Sequence, residues 1–369
     1  MSLRPAAVVT GSLAGLCALV LAAVPAQAAP RTDAPAAADG RAPLPVAHRG
    51  ASAYAPENTL AAVDAAHALG IEWVENDVQR TKDGELVVLH DDNLARTTNV
   101  EQLFPDRAPW KVADFTAAEI ARLDAGSWFA PRFAGQRVPT LEQYLRRLDR
   151  TGQNLLLEIK KPELYPGIEA EILRELRQEG WLDRRHVRDK LIVQSFGADS
   201  VRTVHRLAPD VKTGFLGTPA VGDLPRYAQF ADQINPPHTA LSAEYVREVH
   251  ALKGPHGKPL EVFTWTVNDA ETARRVAGMG VDGIISNNPD VIRDATRSAS
   301  GEDAEEAREE AREEAEEARE EAEEAREDAR EDAEEAREEA RRGTATDTDS
   351  FVDSRLAGVG DLLRGVLPS

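Results

Sequence analysis

Five residues between positions 48 and 90 carry side chains suited to one kind of chemistry: His48, Arg49, Glu75, Asp77 and His90. Glu75 and Asp77 lie in the run 71–78, which reads as a strand, and side chains two apart on a strand share a face. Two carboxylates held side by side repel, and a cation relieves that repulsion. A second apolar run, Leu44 to Ala47, delivers His48, Arg49 and Gly50 into a loop. Arginine matches phosphate oxygens bidentately, a hard cation on carboxylates polarises a phosphoryl group, and histidines move protons near neutral pH. The set suits reaction at a phosphate ester.

Three local elements must position these groups. A helix is expected from Asn58 or Thr59, both good N-caps, to Gly70, a natural stop. The run 71–78 forms the second strand. Lys82-Asp83-Gly84-Glu85 then places Asp-Gly at the centre of a two-residue hairpin turn. Partners across such a turn have numbers adding to 167, as Lys82 and Glu85 do, which sets His90 opposite Asp77. A third carboxylate, Glu158, closes a later strand with Lys160 on its own face. Glu75, Asp77 and Glu158 together make a site for a hard divalent cation, Ca2+ or Mg2+. The lack of a cysteine or histidine cluster argues against zinc.

These segments resemble the glycerophosphodiester phosphodiesterase family. The resemblance rests on His48-Arg49-Gly50-Ala51, Pro56-Glu57-Asn58-Thr59, Glu75-Asn76-Asp77-Val78, His90-Asp91 and Leu94-Ala95-Arg96-Thr97-Thr98. Later matching segments are Leu157-Glu158-Ile159-Lys160, Gln194-Ser195-Phe196, Trp265-Thr266-Val267-Asn268 and Asp282-Gly283-Ile284-Ile285-Ser286-Asn287. Together they span roughly residues 44–295. The resemblance implies cleavage of a small glycerophosphodiester to glycerol 3-phosphate and an alcohol, with His48 and His90 as general acid and base in an order left open. On that reading Arg49 and Lys160 hold phosphate oxygens, and Trp265 either walls the glycerol moiety or serves as ordinary packing. Glu57 and Asn58 fix the loop and cap the helix. Two other readings compete: a barrel of phospholipase D or sphingomyelinase D type acting on intact lipids, and a non-catalytic envelope scaffold.

Strand and helix signals alternate through the central region. Leu44–Ala47, 71–78, 154–160, 191–196, 212–216, 231–234, 260–267 and 281–286 make eight strands once the His90 segment is set aside as a hairpin return. Eight alternating units in about 250 residues predict a TIM-type (β/α)8 barrel over 44–298, with an insertion after the second strand's hairpin. No Gly-x-Gly-x-x-Gly follows the first strand, so an open dinucleotide-binding sheet lacks support. The insertion, about 99–149, holds Trp110, Phe115, Trp128, Phe129 and Phe133. These aromatics either cap the barrel mouth or pack the insertion against the barrel, and packing is favoured for most of them.

The net charge of −20 is concentrated in one appendage. Residues 301–342 hold 22 acidic side chains against 8 arginines, so little charge imbalance belongs to the rest and no basic nucleic-acid footprint exists. Alanines there recur with a mean spacing of 3.6 residues from Ala304 to Ala340, the α-helical repeat, and each arginine follows a glutamate by three residues. The segment is expected to form a long acidic helix, either a solvated spacer or an alanine-seamed coiled coil that associates with a second copy. Residues 343–369 form a tail with a weak amphipathic pattern interrupted by Gly358, Gly360 and Gly365. At the other end, the apolar stretch from Ala6 to Val24, followed by Ala26-Gln27-Ala28, reads as a secretory signal over 1–28 and predicts a secreted protein with no membrane span after cleavage. Residues 29–43 read as a flexible linker, and the single cysteine, Cys17, lies within the leader.

Overall fold

The computed structural model describes residues 42–297. The leader, nearly all of the linker, the acidic repeat and the tail lie outside the described residues.

Nine strands form one sheet: β1 Leu44–Ala47, β2 Trp73–Arg80, β3 Leu86–Val88, β4 Asn154–Ile159, β5 Leu191–Ser195, β6 Lys212–Leu216, β7 Gln233–Asn235, β8 Glu261–Thr264 and β9 Gly283–Ser286. The order is β1-β9-β8-β7-β6-β5-β4-β2-β3, and β1 also pairs with β2, so eight strands close into a barrel. All eight barrel pairings are parallel, whereas β3 runs antiparallel to β2 as a hairpin return. A helix follows each barrel strand, including Leu60–Ala68 after β1, Leu141–Thr151 after the β2–β3 hairpin, Ile168–Gln178 after β4 and Ala198–Leu207 after β5. This is the TIM barrel that the alternating pattern predicts, built by right-handed strand–helix–strand units.

Alternation along the strands sorts the residues into two layers. On β4, Leu155, Leu157 and Ile159 join the outer core beneath the helices, with Val74 and Val78 of β2 beside them. Trp73 of β2 and Leu156 of β4 point the other way, into the barrel, where they meet Val46, Ile192, Phe263 and Ile285. The next inward positions are Glu75 and Asp77 on β2 and Glu158 on β4, so the apolar packing inside the barrel ends at a charged layer. That layer sits at the carboxyl ends of the strands.

The hairpin differs from expectation by one residue. Val78 pairs with Val88 and Arg80 with Leu86, so partner numbers add to 166. The loop is a three-residue type, with Gly84 at φ 93° in the left-handed region that such a loop requires at this point. Leu89, whose amide donates to the Asp77 carbonyl at 2.9 Å, therefore occupies the position expected for His90. His90 lies beyond the ladder, in a bend that turns it back toward the barrel mouth.

The insertion forms its own small core on the outer edge of this hairpin. Val87 and Leu89 pack with Leu94, Val100, Val112, Phe115, Ile120 and Leu123. Capping boxes start the helices at Thr116 with Glu119 and at Thr140 with Gln143, where the sequence places helical segments. Trp128 remains 42% exposed, which packing inside the insertion does not explain.

The first loop depends on one close backbone approach. Gly50 has φ 79°, and a Cβ at this position would lie 2.5 Å from the Ala62 Cβ and 2.6 Å from the Ala62 carbonyl carbon, inside the helix Leu60–Ala68. Both the backbone conformation and the space exclude a side chain. Gly50→Ala is expected to destabilise the domain by about 2 kcal/mol or more, lowering the thermal midpoint by roughly 4–8 °C. Calorimetry of the two proteins checks this, and equal midpoints would refute the account of the loop.

Candidate active site

The three acidic residues converge because of strand register. Asp77 and Glu158 are direct Cα partners on the parallel pair β2–β4, and Glu75 lies two positions back on the same face of β2. One oxygen from each of Glu75, Asp77 and Glu158 lies within 4.8 Å of the others, and all three residues are buried. At such separations each pair of carboxylates repels by on the order of 3 kcal/mol or more, taking an effective dielectric of about 20.

Two cations and an amide partly offset this repulsion. Lys160 donates to Glu158 Oε1 at 2.8 Å and stands 3.4 Å from Asp77 Oδ1. The Arg49 guanidinium lies 3.4 Å from Asp77 Oδ2 and donates to Glu57 at 2.9 Å, while the Arg49 backbone amide donates to Glu75 Oε2 at 2.8 Å. Asn58 Nδ2 donates to Asp77 Oδ2 at 2.8 Å. Thr59, not Asn58, caps the helix. Asn58 has φ 59° and turns its amide toward β2, which makes it a support for Asp77.

Compensation is uneven. For Asp77, burial raises its pKa but is outweighed by Lys160, Arg49, His90 and the Asn58 hydrogen bond, so it stays ionised well below the usual carboxylate range. Glu75 is pushed well up, by burial and then by the Asp77 and Glu158 charges. Glu158 is pushed up to about 7, by burial and then by Asp77, despite its bond to Lys160. The cluster thus carries more negative charge than its own protein partners neutralise. In addition, Asp77 Oδ1 and Arg49 Nε are buried without a hydrogen-bond partner. The residues therefore fit a divalent cation with oxygen ligands, whose bonds of about 2.0–2.6 Å can bridge oxygens this far apart. This is the cluster of the described residues whose metal-ligating atoms come together.

Two histidines enter the same cleft, both from the side of β2 away from β4, His48 after β1 and His90 after β3. His48 follows β1, which pairs with β2 so that Ala47 lies against Val74. Its Nδ1 is 2.7 Å from Asn287 Oδ1, and the Ser52 hydroxyl donates to that same oxygen at 2.9 Å. An amide oxygen only accepts, so the His48 proton resides on Nδ1 and Nε2 keeps its lone pair. Burial and then the Arg49 charge pull His48 down to about 4, so it is neutral at pH 7. His90 Nδ1 lies 2.7 Å from Asp91 Oδ1. Arg96 donates to Asp91 at 2.6 Å and to Glu57 at 2.7 and 2.8 Å, which links His90 to the Arg49 side of the site. Burial also lowers His90, with Asp77 and Asp91 opposing it.

His48, Arg49, Glu75, His90, Glu158, Lys160 and Trp265 all line one cleft, joined by Gln194, Phe196, Leu216, Thr266 and Ile285. Trp265 meets Phe196 edge to face at 5.5 Å and is held by a bond from its indole N–H to the Asn235 carbonyl. Asp77 sits just below, behind Arg49 and Lys160. No residue of 99–139 lines this cleft, so the insertion's aromatics do not cap it. Sequence reasoning missed Asn287 as the partner of His48 and Gln194 and Phe196 as cleft residues, although the segments holding them stand among the resemblances. A larger groove, lined by Glu163, Asp199, Arg202 and Phe230 on the outer wall, contains none of these groups. His250 and His256 pair with Asp282 and Asp232, which precede strands and so lie at the opposite end of the barrel.

A closed parallel barrel with three carboxylates, two histidines, an arginine and a lysine gathered at its carboxyl end is the setting of a phosphoric diester hydrolase. The chain belongs to the glycerophosphoryl diester phosphodiesterase family, whose model matches residues 48–291. It is similar to YhdW of Bacillus subtilis (strain 168), 40% identical over 252 residues that cover 67% of this chain and 95% of the relative. A glycerophosphodiester phosphodiesterase of Caldanaerobacter subterraneus subsp. tengcongensis is 36% identical over 263 residues, covering 69% and 98% of the two chains. Among solved structures, a phosphodiesterase from Oleispira antarctica in complex with the product sn-glycerol-3-phosphate superposes with a TM-score of 0.59 at 28% identity, covering 69% of this chain and 96% of the other.

Linkage gives a test of the acid cluster. Because Glu158 holds its proton up to about 7 when folded, against 4.5 when unfolded, it favours the folded state at low pH and opposes it as pH rises through that interval. His48, lowered from 6.5 to about 4, works in the opposite sense as pH falls, so only a comparison isolates Glu158. In chelator, Glu158→Gln is expected to melt above the wild type at pH 8, by on the order of 3 kcal/mol, with the gap closing toward pH 5. A gap independent of pH would contradict the assigned crowding.

Proposed function

We propose that the protein hydrolyses small glycerophosphodiesters to glycerol 3-phosphate and a free alcohol, using one divalent cation, Ca2+ or Mg2+, held by Glu75, Asp77 and Glu158. The observation that carries this reading is the single cleft in which the unneutralised acid cluster, both histidines, Arg49 and Lys160 face the same space. Family membership supports the reaction class, and the product named for the Oleispira antarctica structure supports the substrate class.

A bound cation supplies charge neutralisation and polarisation at the phosphoryl group. The chain's own residues do the rest. Arg49 and Lys160 present N–H donors beside the acid cluster, where they orient the non-bridging oxygens of the phosphate. His48, neutral with its Nε2 lone pair free, accepts the proton of the attacking water or of the substrate's neighbouring hydroxyl. His90 has a carboxylate, Asp91, on its Nδ1, which supports the imidazolium form needed to give a proton to the departing alcohol. The Trp265 and Phe196 rings wall the cleft beside the glycerol moiety. The leader-like residues 1–28 support action outside the cell.

The reading predicts release of glycerol 3-phosphate from glycerophosphocholine that stops in chelator and returns on adding Ca2+ or Mg2+. His48→Ala and His90→Ala should each lose at least about 100-fold in turnover while retaining the wild-type circular dichroism spectrum. Vesicles of intact phospholipid should be turned over far more slowly than the deacylated ester. Full activity in chelator, or faster attack on vesicles, would replace this function by another.

A further inference from the structure

The face of β2 that carries Glu75 and Asp77 continues to Gln79, a fully buried side chain with a different task. Its Nε2 donates to the carbonyls of Leu89 at 2.7 Å, His90 at 3.2 Å and Asp91 at 2.6 Å. Three consecutive carbonyls thus converge on one amide nitrogen. An amide has two N–H bonds, so Leu89 and Asp91 take the short ones and His90 shares. The orientation of the amide is set from its other end, where the buried Tyr165 hydroxyl donates to Gln79 Oε1 at 2.9 Å. Tyr165 can donate only to the oxygen, and the three carbonyls accept only from the nitrogen. The amide therefore has one satisfied orientation.

This bond set lies where the β2–β3 ladder has stopped. The last strand pair is Val78 with Val88, and the last ladder-like bond is from Leu89 to Asp77. Beyond it the chain curls through His90 and Asp91 without strand partners. Gln79 supplies the missing partner from the side, and Lys161 adds a tie to Asp92 at 2.8 Å from the loop after β4. Among the described residues, the side-chain bonds of His90 and Asp91 reach Arg96, and Glu57 lies beyond, all on exposed or half-buried loops. The buried anchor of the His90 backbone is the Gln79 amide.

We infer that Gln79, oriented by Tyr165, is a positioning residue that sets the place of the His90 imidazole relative to the acid cluster. The same strand face then fixes both halves of the reaction centre: Glu75 and Asp77 hold the cation, and two residues further on Gln79 holds the proton-transfer group. A change at Gln79 should displace His90 without disturbing the cation ligands. The inference rests on His90 being a proton-transfer group, so it is tested beside His90→Ala.

The test measures kcat and KM for glycerophosphocholine, and Ca2+ affinity without substrate, in the full-length wild type, Gln79→Leu, Tyr165→Phe and His90→Ala. Gln79→Leu should lower kcat by roughly 10- to 100-fold, the scale of a misplaced catalytic group, with KM and Ca2+ affinity within about twofold of wild type. Tyr165→Phe, which keeps the ring but leaves Gln79 Oε1 without its buried donor and so loosens the amide, should show the same split at a smaller, roughly threefold to tenfold, loss of kcat. It also stands as the deciding variant if Gln79→Leu does not fold. Wild-type kcat in the variant measured, or a parallel loss of Ca2+ affinity, overturns the inference. Wild-type kcat in His90→Ala overturns the reading of His90 itself, and the inference with it.

Discussion

Three buried carboxylates at the mouth of one barrel are the constraint to which the rest of the structure answers. Register places Asp77 and Glu158 side by side, and strand alternation adds Glu75, so the repulsion is built into the sheet. Lys160, Arg49 and Asn58 stabilise Asp77 as an ion but leave Glu75 and Glu158 pushed toward protonation. Such an arrangement costs folding energy, which apolar packing must offset. The layer beneath, Val46, Trp73, Leu156, Ile192, Phe263 and Ile285, and the larger outer core of leucines and valines provide it. That remaining charge is the feature on which the proposed cation site rests.

The two histidines are held by a different logic. Each histidine lines the cleft and is fixed through its Nδ1, but the partners differ in charge. His48 rests on the neutral amide of Asn287, a contact across 239 positions of sequence that exists because β1 pairs with β9. His90 rests on Asp91, within a chain of ion pairs that runs through Arg96 and Glu57 to Arg49 and so to Asp77. The two imidazoles thus differ in partner, an uncharged amide for His48 and a carboxylate for His90, while burial lowers the pKa of both. Barrel closure is what brings both to a single phosphate-sized space.

The insertion and the outer-wall groove contribute no residue to this centre. Within 99–139, Phe115, with Phe104 and Trp110 partly buried against it, joins a separate small core on the β2–β3 hairpin, while Trp128, Phe129 and Phe133 pack edge to face on one another. The insertion stiffens the base of the hairpin that projects His90 and leaves the cleft open to Trp265, Phe196 and Leu216. The wall available to a substrate is accordingly small and partly aromatic, which suits a glycerol-sized group better than paired acyl chains.

Much of the site was legible in the residues alone. The pairing of Glu75 with Asp77, a helix start at Asn58 or Thr59, the strand end at Ala47 and the count of eight barrel strands follow from period, turn chemistry and capping, which are local properties of the chain. The hairpin register was misjudged by one residue because Asp83-Gly84 serves a three-residue loop as well as a two-residue one, and only the packing of Leu89 into the insertion selects between them. Tertiary structure alone decided that Asn287 would hold His48, that Gln79 would turn its amide to the 89–91 carbonyls, that Asn58 would serve Asp77, and that Phe196 would stand against Trp265. The Asn287 and Phe196 contacts join segments that meet when the barrel closes, whereas Gln79 reaches its carbonyls across the β2–β3 hairpin and Asn58 reaches Asp77 from the loop after β1. Local pattern sets which face a side chain takes, whereas the partner it finds there depends on how distant strands are brought into register.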